Sequence, residues 1–252
     1  MLAKICYLGD DHLGGAAAYL AGIMQWAGLS FDYVPSADRP PDDFSARQYA
    51  LYVLSDYPAA RFSPAQMEHV RRCVEQGSGL LMIGGWESFF GRSGEYHGTV
   101  LADVLPVTLR SEDDRANCAQ PCLVRCLAEH PITAGLPFDT PPCIGGFNRV
   151  DARPAATTLL TAVRFFVTRE GDGFSFMPGA DEPLLVVGRF GEGRTAALAT
   201  DAAPHWVGGL VDWGDERIVQ GVGSGWIEVG NWYARFFRNL LAWTGRWEGG
   251  LL

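Results

Sequence analysis

The chain has 252 residues, 48% of them hydrophobic and 19% charged, enough apolar surface to offset chain entropy and to exclude wholesale disorder. Its 20 basic and 29 acidic side chains leave a net charge of −9 with no basic run, so neither nucleic acid nor an anionic membrane surface is an expected partner. No stretch reads as a bilayer span: the longest apolar one, residues 16–29, is too short and is bounded by glycine turns.

The first apolar run, residues 4–8, ends at Gly9-Asp10-Asp11. The N-terminal stretch 1–7 is therefore too short for a signal-peptide core, and a cytoplasmic protein with its six cysteines reduced is expected. Residues 14–28 read as a helix closed by glycine and 31–34 as a second strand, which makes a βαβ opening. Residues 50–54 form a continuous apolar run, the pattern of a parallel strand covered on both faces. Ser63-Pro64-Ala65-Gln66 then places an N-cap, a proline at the first helical position and a capping-box glutamine, and Gly77 closes that helix. Residues 79–83 are the next buried strand and run into Gly84-Gly85-Trp86-Glu87.

From 99 to 142 the pattern loosens into proline-rich loops and short strands. Strand pieces at 157–160 and 164–168 precede a hairpin, 184–190 and 194–200, around Gly191-Glu192-Gly193. Residues 207–225 read as a glycine- and tryptophan-bearing loop, and 232–243 as a closing amphipathic helix. No linker interrupts the chain, so one domain over residues 1–252 is expected.

Ligands of an open parallel α/β sheet bind beyond the carboxyl ends of its strands, where helix N-termini and loops converge. In this chain those ends carry Asp10, Asp11 and His12; Asp56; Gly84, Gly85, Trp86 and Glu87; and Asp201, His205 and Trp206. Any one aspartate there is as readily a turn or helix cap as a functional group, and their coincidence is the informative feature.

Leu54-Ser55-Asp56, the Ser63-Pro64 helix, Gly77 through Gly84-Gly85, Leu105-Pro106-Val107, Asp114-Arg115, His130-Pro131-Ile132, Gly146-Phe147-Asn148 and the stretch from Asp201 to Trp206 together resemble the family of bacterial proteins named putative glutamine amidotransferases. The resemblance covers roughly residues 50–243. It implies the class I glutamine amidotransferase-like fold: α/β, a flavodoxin-like, mainly parallel sheet with helices on both faces, here with a loop-rich insertion and a C-terminal hairpin plus helix. It also favours Arg115 and Asn148 as ligand-binding residues.

Amidotransferases of this class carry a nucleophilic cysteine on a tight strand-to-helix elbow, paired with histidine and glutamate. Here the elbow reads Ile83-Gly84-Gly85-Trp86-Glu87-Ser88 and holds no cysteine, so glutaminase activity is not expected. Glu87, Asp201 and His205 are the candidate acids and bases, each with a plainer reading as a cap or a loop anchor. Asp11, His12 and His205 have no recognised ligand spacing, so no metal is expected there, and no cofactor is implied. Cys118, Cys122 and Cys126 are too widely spaced on a helix or strand to share one zinc ion, and Pro121 leaves an irregular loop as the only route, so buried thiols are expected.

Six of the eight tryptophans follow residue 205, and Trp213 and Trp226, in glycine-rich sequence, suggest a subunit interface and hence a homo-oligomer. The functional expectation is a binding module for a small polar ligand at the carboxyl edge of the sheet. The alternatives are a hydrolase acting through Glu87, Asp201 or His205 on a carbohydrate-like or amide substrate, with or without a metal, and a non-catalytic scaffold.

Overall fold

The computed structural model describes residues 4–247, so the first three residues of the 1–7 stretch lie outside the described part. In chain order the elements are β1 (Ile5–Gly9), α1 (Ala17–Trp26), β2 (Phe31–Val34), β3 (Leu51–Ser55), α2 (Pro64–Glu75), β4 (Gly79–Ile83), α3 (Val100–Val104), β5 (Val107–Thr108), β6 (Arg115–Cys126), β7 (Cys143–Asn148) and β8 (Asp151–Ala152). The remainder comprises β9 (Thr157–Glu170), β10 (Gly173–Phe190), β11 (Gly193–Leu198), α4 (Pro204–Val211), β12 (Arg217–Val222), β13 (Gly225–Gly230) and α5 (Asn231–Thr244).

Nine strands form one sheet in the order β2-β1-β3-β4-β11-β10-β9-β6-β7. The first five are parallel, the flavodoxin-like arrangement with β11 as fifth strand, and the remaining pairs are antiparallel. Every residue of β1, β3 and β4 is buried, which is why those segments are apolar without alternation. The β1-α1-β2 and β3-α2-β4 crossovers run in opposite directions along the sheet, so right-handed connections place α1 and α2 on opposite faces. The switch in direction falls between β1 and β3, the place where sheets of this kind bind their ligands.

The Ser63 hydroxyl accepts from the Gln66 N–H at 3.2 Å, and the Gln66 side chain accepts from the Ser63 N–H at 2.9 Å. Ser63→Ala should cost about 1 kcal/mol and lower the melting temperature by about 2–4 °C, measurable by calorimetry.

Three segments differ from the sequence expectation. The loosely patterned region 99–142 contains the 12-residue strand β6, whose exposed and buried positions alternate irregularly because its pairing with β7 breaks between Asn117 and Cys122. The strand pieces at 157–168 are one strand, β9, which pairs with a β10 that starts eleven residues before the hairpin strand read from sequence. The outer half of that ribbon projects past the sheet with Phe166, Phe174, Phe176 and Met177 exposed, so no burial periodicity marks it. The expected loop 207–225 holds most of α4 and all of β12, whose hairpin with β13 packs on α1, with Ile227 lying against Gly22. Trp213 is a core residue there, packed on Phe138 and donating to the Thr140 carbonyl at 3.1 Å, whereas Trp226 is exposed.

Candidate functional site

Three strands of the parallel half are followed by an aspartate within three residues of their ends. Gly9, with φ of +143°, lets β1 end so close to β3 that a Cβ there would lie 1.6 Å from the Ser55 carbonyl oxygen. Asp10 and Asp56 follow with left-handed φ of 53° and 48°, and the Asp10 N–H donates to the carbonyls of Ser55 at 2.9 Å and Asp56 at 3.2 Å. Asp201, beyond β11, accepts from the Ala203 N–H at 2.9 Å, a turn that leads into Pro204 at the start of α4. Asp10 and Asp201 are buried and Asp56 half-buried. One carboxylate oxygen from each lies within 4.8 Å of the other two.

Burial and crowding act in the same direction on all three. Burial pushes the Asp10 carboxyl up to about 6, against the Tyr7 hydroxyl, which donates to its Oδ2 at 2.7 Å, and the Ser55 hydroxyl at 3.3 Å. Asp56 is pushed up to about 7 by burial and then by the charge of Asp10. Asp201 is held well above the carboxylate range by burial and by both neighbours. Near neutral pH the cluster therefore holds protons as well as charge.

Beside it opens a pocket of about 450 Å³ whose wall includes Asp10, Asp11, Asp56, Trp86, Glu87 and Arg92. A larger groove, about 960 Å³, lies at the opposite end of the sheet, but its carboxylate, Asp32, is already paired with Lys4, Arg47 and the Tyr49 hydroxyl.

The elbow after β4 is held by Asn148, Asp114, Ser88 and Asp56. Gly85 has φ of +153°, and a Cβ there would lie 2.1 Å from Asp56 Oδ1. Asn148 clasps this glycine, accepting from its N–H at 2.9 Å and donating to its carbonyl at 3.0 Å and to Asp114 Oδ1 at 2.7 Å. Asp114, buried, accepts from the N–H groups of Phe90 and Gly91, each at 3.0 Å. Ser88 is buried and its hydroxyl accepts from the Asp56 N–H at 2.9 Å, while Asp56 Oδ1 accepts from the Glu87 N–H at 2.7 Å. The loops after β3 and β4 thus hold each other.

The residues expected from sequence divide accordingly. Asp10, Asp11, Asp56, Trp86 and Glu87 line the pocket, and Asp201 completes the carboxylate cluster. Gly84, Gly85 and Asn148 form the elbow. Arg115, paired with Asp113, stands 4.5 Å from the Trp86 ring, and exposed His205 meets that ring edge-on at 5.6 Å, so both brace Trp86. His12, exposed, accepts from the Gly14 N–H in the turn before α1. Trp206 is buried against Gly146 and donates to Asn117 at 2.9 Å. Sequence reasoning missed Arg92 and the supporting hydroxyls of Tyr7 and Ser55; the latter two precede Asp10 and Asp56 on buried strands, where a polar atom needs a partner, and that was the available signal.

Sheet order, switch point and elbow define an α/β protein of the flavodoxin-like, class I amidotransferase-like kind. Residues 43–244 match the family described as "Putative glutamine amidotransferase", and the chain belongs to that family. Two solved structures from Salmonella typhimurium superpose over nearly their whole lengths. The cytoplasmic protein STM3548 is 25% identical with a TM-score of 0.73, covering 96% of this chain and 98% of its own. The cytoplasmic protein STM1381 is 26% identical with a TM-score of 0.73, covering 96% and 99%. A β-galactosidase from Rahnella sp. R3 shares the fold in part of its length: 14% identity, TM-score 0.54, 95% of this chain and 31% of the enzyme. No curated protein matches the chain.

Proposed function

We propose that the chain binds a small polar ligand in the pocket beside Asp10, Asp56 and Asp201, through hydrogen-bond donors or positive charge on the ligand, and without glutaminase chemistry. The convergence of three carboxylates within 4.8 Å carries this reading. Such a cluster is acceptor-rich and stabilised by a group that supplies donors, as an amine or a polyol does, and Glu87 and Asp11 extend the same polarity along the wall. Arg92 offers the opposite charge at the pocket edge, for the anionic end of a zwitterion. The elbow sequence contains no cysteine, and its one hydroxyl, Ser88, is buried and already bonded. Ammonia release from glutamine should therefore stay at the uncatalysed rate.

A thermal-shift screen against amines, polyols, amino acids including glutamine, nucleotides, Mg²⁺ and Ca²⁺ tests the proposal. A ligand at a hundred times its dissociation constant adds about 2.7 kcal/mol, several degrees for this chain length. The expected result is a shift by an amine, polyol or zwitterion that is lost in Asp56→Asn; no shift, or one that survives in that variant, counts against the site. A shift by Mg²⁺ or Ca²⁺ alone would favour the hydrolase reading, because the span of the three oxygens also suits one hard cation.

A cytoplasmic location is part of the proposal, supported by the cytoplasmic Salmonella relatives. Among the described residues, no helix is long and apolar enough to cross a membrane. So is a homo-oligomer, supported by the exposed phenylalanines of the β9–β10 ribbon, with size-exclusion chromatography as its check.

A further inference from the structure

On a regular strand, residues four apart sit about 13 Å from one another. Yet the Cys118 and Cys122 sulfurs on β6 are 3.4 Å apart. The break in pairing with β7 between Asn117 and Cys122 takes the intervening residues off the ladder and folds the two thiols together. They are unlike. Cys122 is fully buried, and burial followed by its hydrogen bond to Cys118 pushes its thiol up to about 12. Cys118 is half-buried, accepts the Cys122 S–H, and lines a cavity of about 250 Å³ together with Arg164 and Phe166. The cavity gives a small oxidant access to the partly open Cys118 sulfur, whereas Cys122 is enclosed.

We propose that Cys118 and Cys122 form a dithiol oxidised by hydroperoxides, with Cys118 as the sulfur attacked first and Cys122 as the resolving thiol. The Cys118 thiolate attacks the distal peroxide oxygen. The O–O bond breaks, Cys118 becomes a sulfenic acid, and the departing oxygen takes a proton to leave as water or an alcohol. The Cys122 sulfur then attacks the Cys118 sulfur; the S–S bond forms, the S–O bond breaks, and hydroxide leaves as water with the Cys122 proton. Two thiols lose two electrons and one peroxide gains them. The sulfurs need to approach by only about 1.4 Å to reach bonding distance. Reversible oxidation of this kind is the usual form of a disulfide in a reducing compartment.

The full chain, reduced, is treated with hydrogen peroxide, quenched in acid, alkylated with iodoacetamide under denaturing conditions and digested with trypsin. Cleavage after Arg115 and Arg125 leaves both sulfurs on peptide 116–125. The expected result is that the doubly alkylated peptide falls about ten-fold and is replaced by an unalkylated form two hydrogens lighter, with Cys126 and Cys143 still alkylated. Cys122→Ser should stop at a Cys118 sulfenic acid that dimedone captures, and Cys118→Ser should leave Cys122 as alkylated as in untreated protein. The proposal is overturned if peptide 116–125 stays doubly alkylated, if Cys122 is found bridged to Cys143, or if Cys122 is oxidised equally in Cys118→Ser.

Discussion

Asp201→Asn is expected to raise the melting temperature at pH 8 by about 4–8 °C and to leave it nearly unchanged at pH 4. Folding raises the carboxyls of Asp10, Asp56 and Asp201, so between pH 4 and 7 the native state binds more protons than the unfolded chain. Stability from these groups is complete below the unfolded value near 3.9 and is lost as pH rises through about 6 and about 7, the values for Asp10 and Asp56. At pH 8 Asp10 and Asp56 are charged, and burial and both of those charges oppose the ionisation of Asp201. Asparagine takes that ionisable group away, keeps an oxygen to accept from the Ala203 N–H, and adds donors for its two neighbours. Relief of about 2 kcal/mol corresponds to the shift given. Melts from pH 4 to 8 check it: the two curves should diverge upward in pH, and a variant less stable than the parent at pH 8 would contradict the repulsion.

Asn148→Ala is the substitution expected to cost most, about 3–4 kcal/mol and roughly 6–16 °C in melting temperature. The side chain is fully buried and makes three hydrogen bonds, two to Gly85 and one to Asp114. Truncation strands the Gly85 N–H and carbonyl and leaves Asp114 with one donor fewer. Because Gly85 lies against Asp56, the same change loosens the pocket wall. Asn148→Asp should also fail, since it keeps the acceptor for Gly85 but sets a second acid beside Asp114. Urea unfolding gives the magnitude; a loss below about 1 kcal/mol for Asn148→Ala would mean that the elbow is held by something else.

The parallel half of the fold was legible because fully buried strands have nowhere to place polar residues: β4 lies where its sequence puts it and β3 within one residue of it, and the Ser63 cap forms as its spacing requires. The antiparallel half was not. β9 and β10 run past the body of the sheet and shift register around Pro178 and Pro183, so neither periodicity nor turn residues mark their true ends. For the site, the strand-end rule found Asp10, Asp56 and Asp201, because it needs only the order of strands. It could not say that Asn148 turns inward to the elbow, that Trp206 packs on Gly146, or that His205 sits against Trp86 and not among the pocket-lining residues. Asp114, which the sequence marks only as part of the family resemblance, is a buried acceptor for the elbow loop, a role set wholly by tertiary contact.

The most direct measurement is a carbon-13 NMR titration of the aspartate carboxyl groups in the ligand-free chain, with Asp10, Asp56 and Asp201 assigned by single substitution. Three signals that titrate at or above about pH 6, and that shift one another when any one of the three is replaced, are the predicted result. If all three instead titrate near the ordinary aspartate value of about 3.9, the carboxylates are solvated and independent, and the ligand anchor proposed at the switch point does not exist.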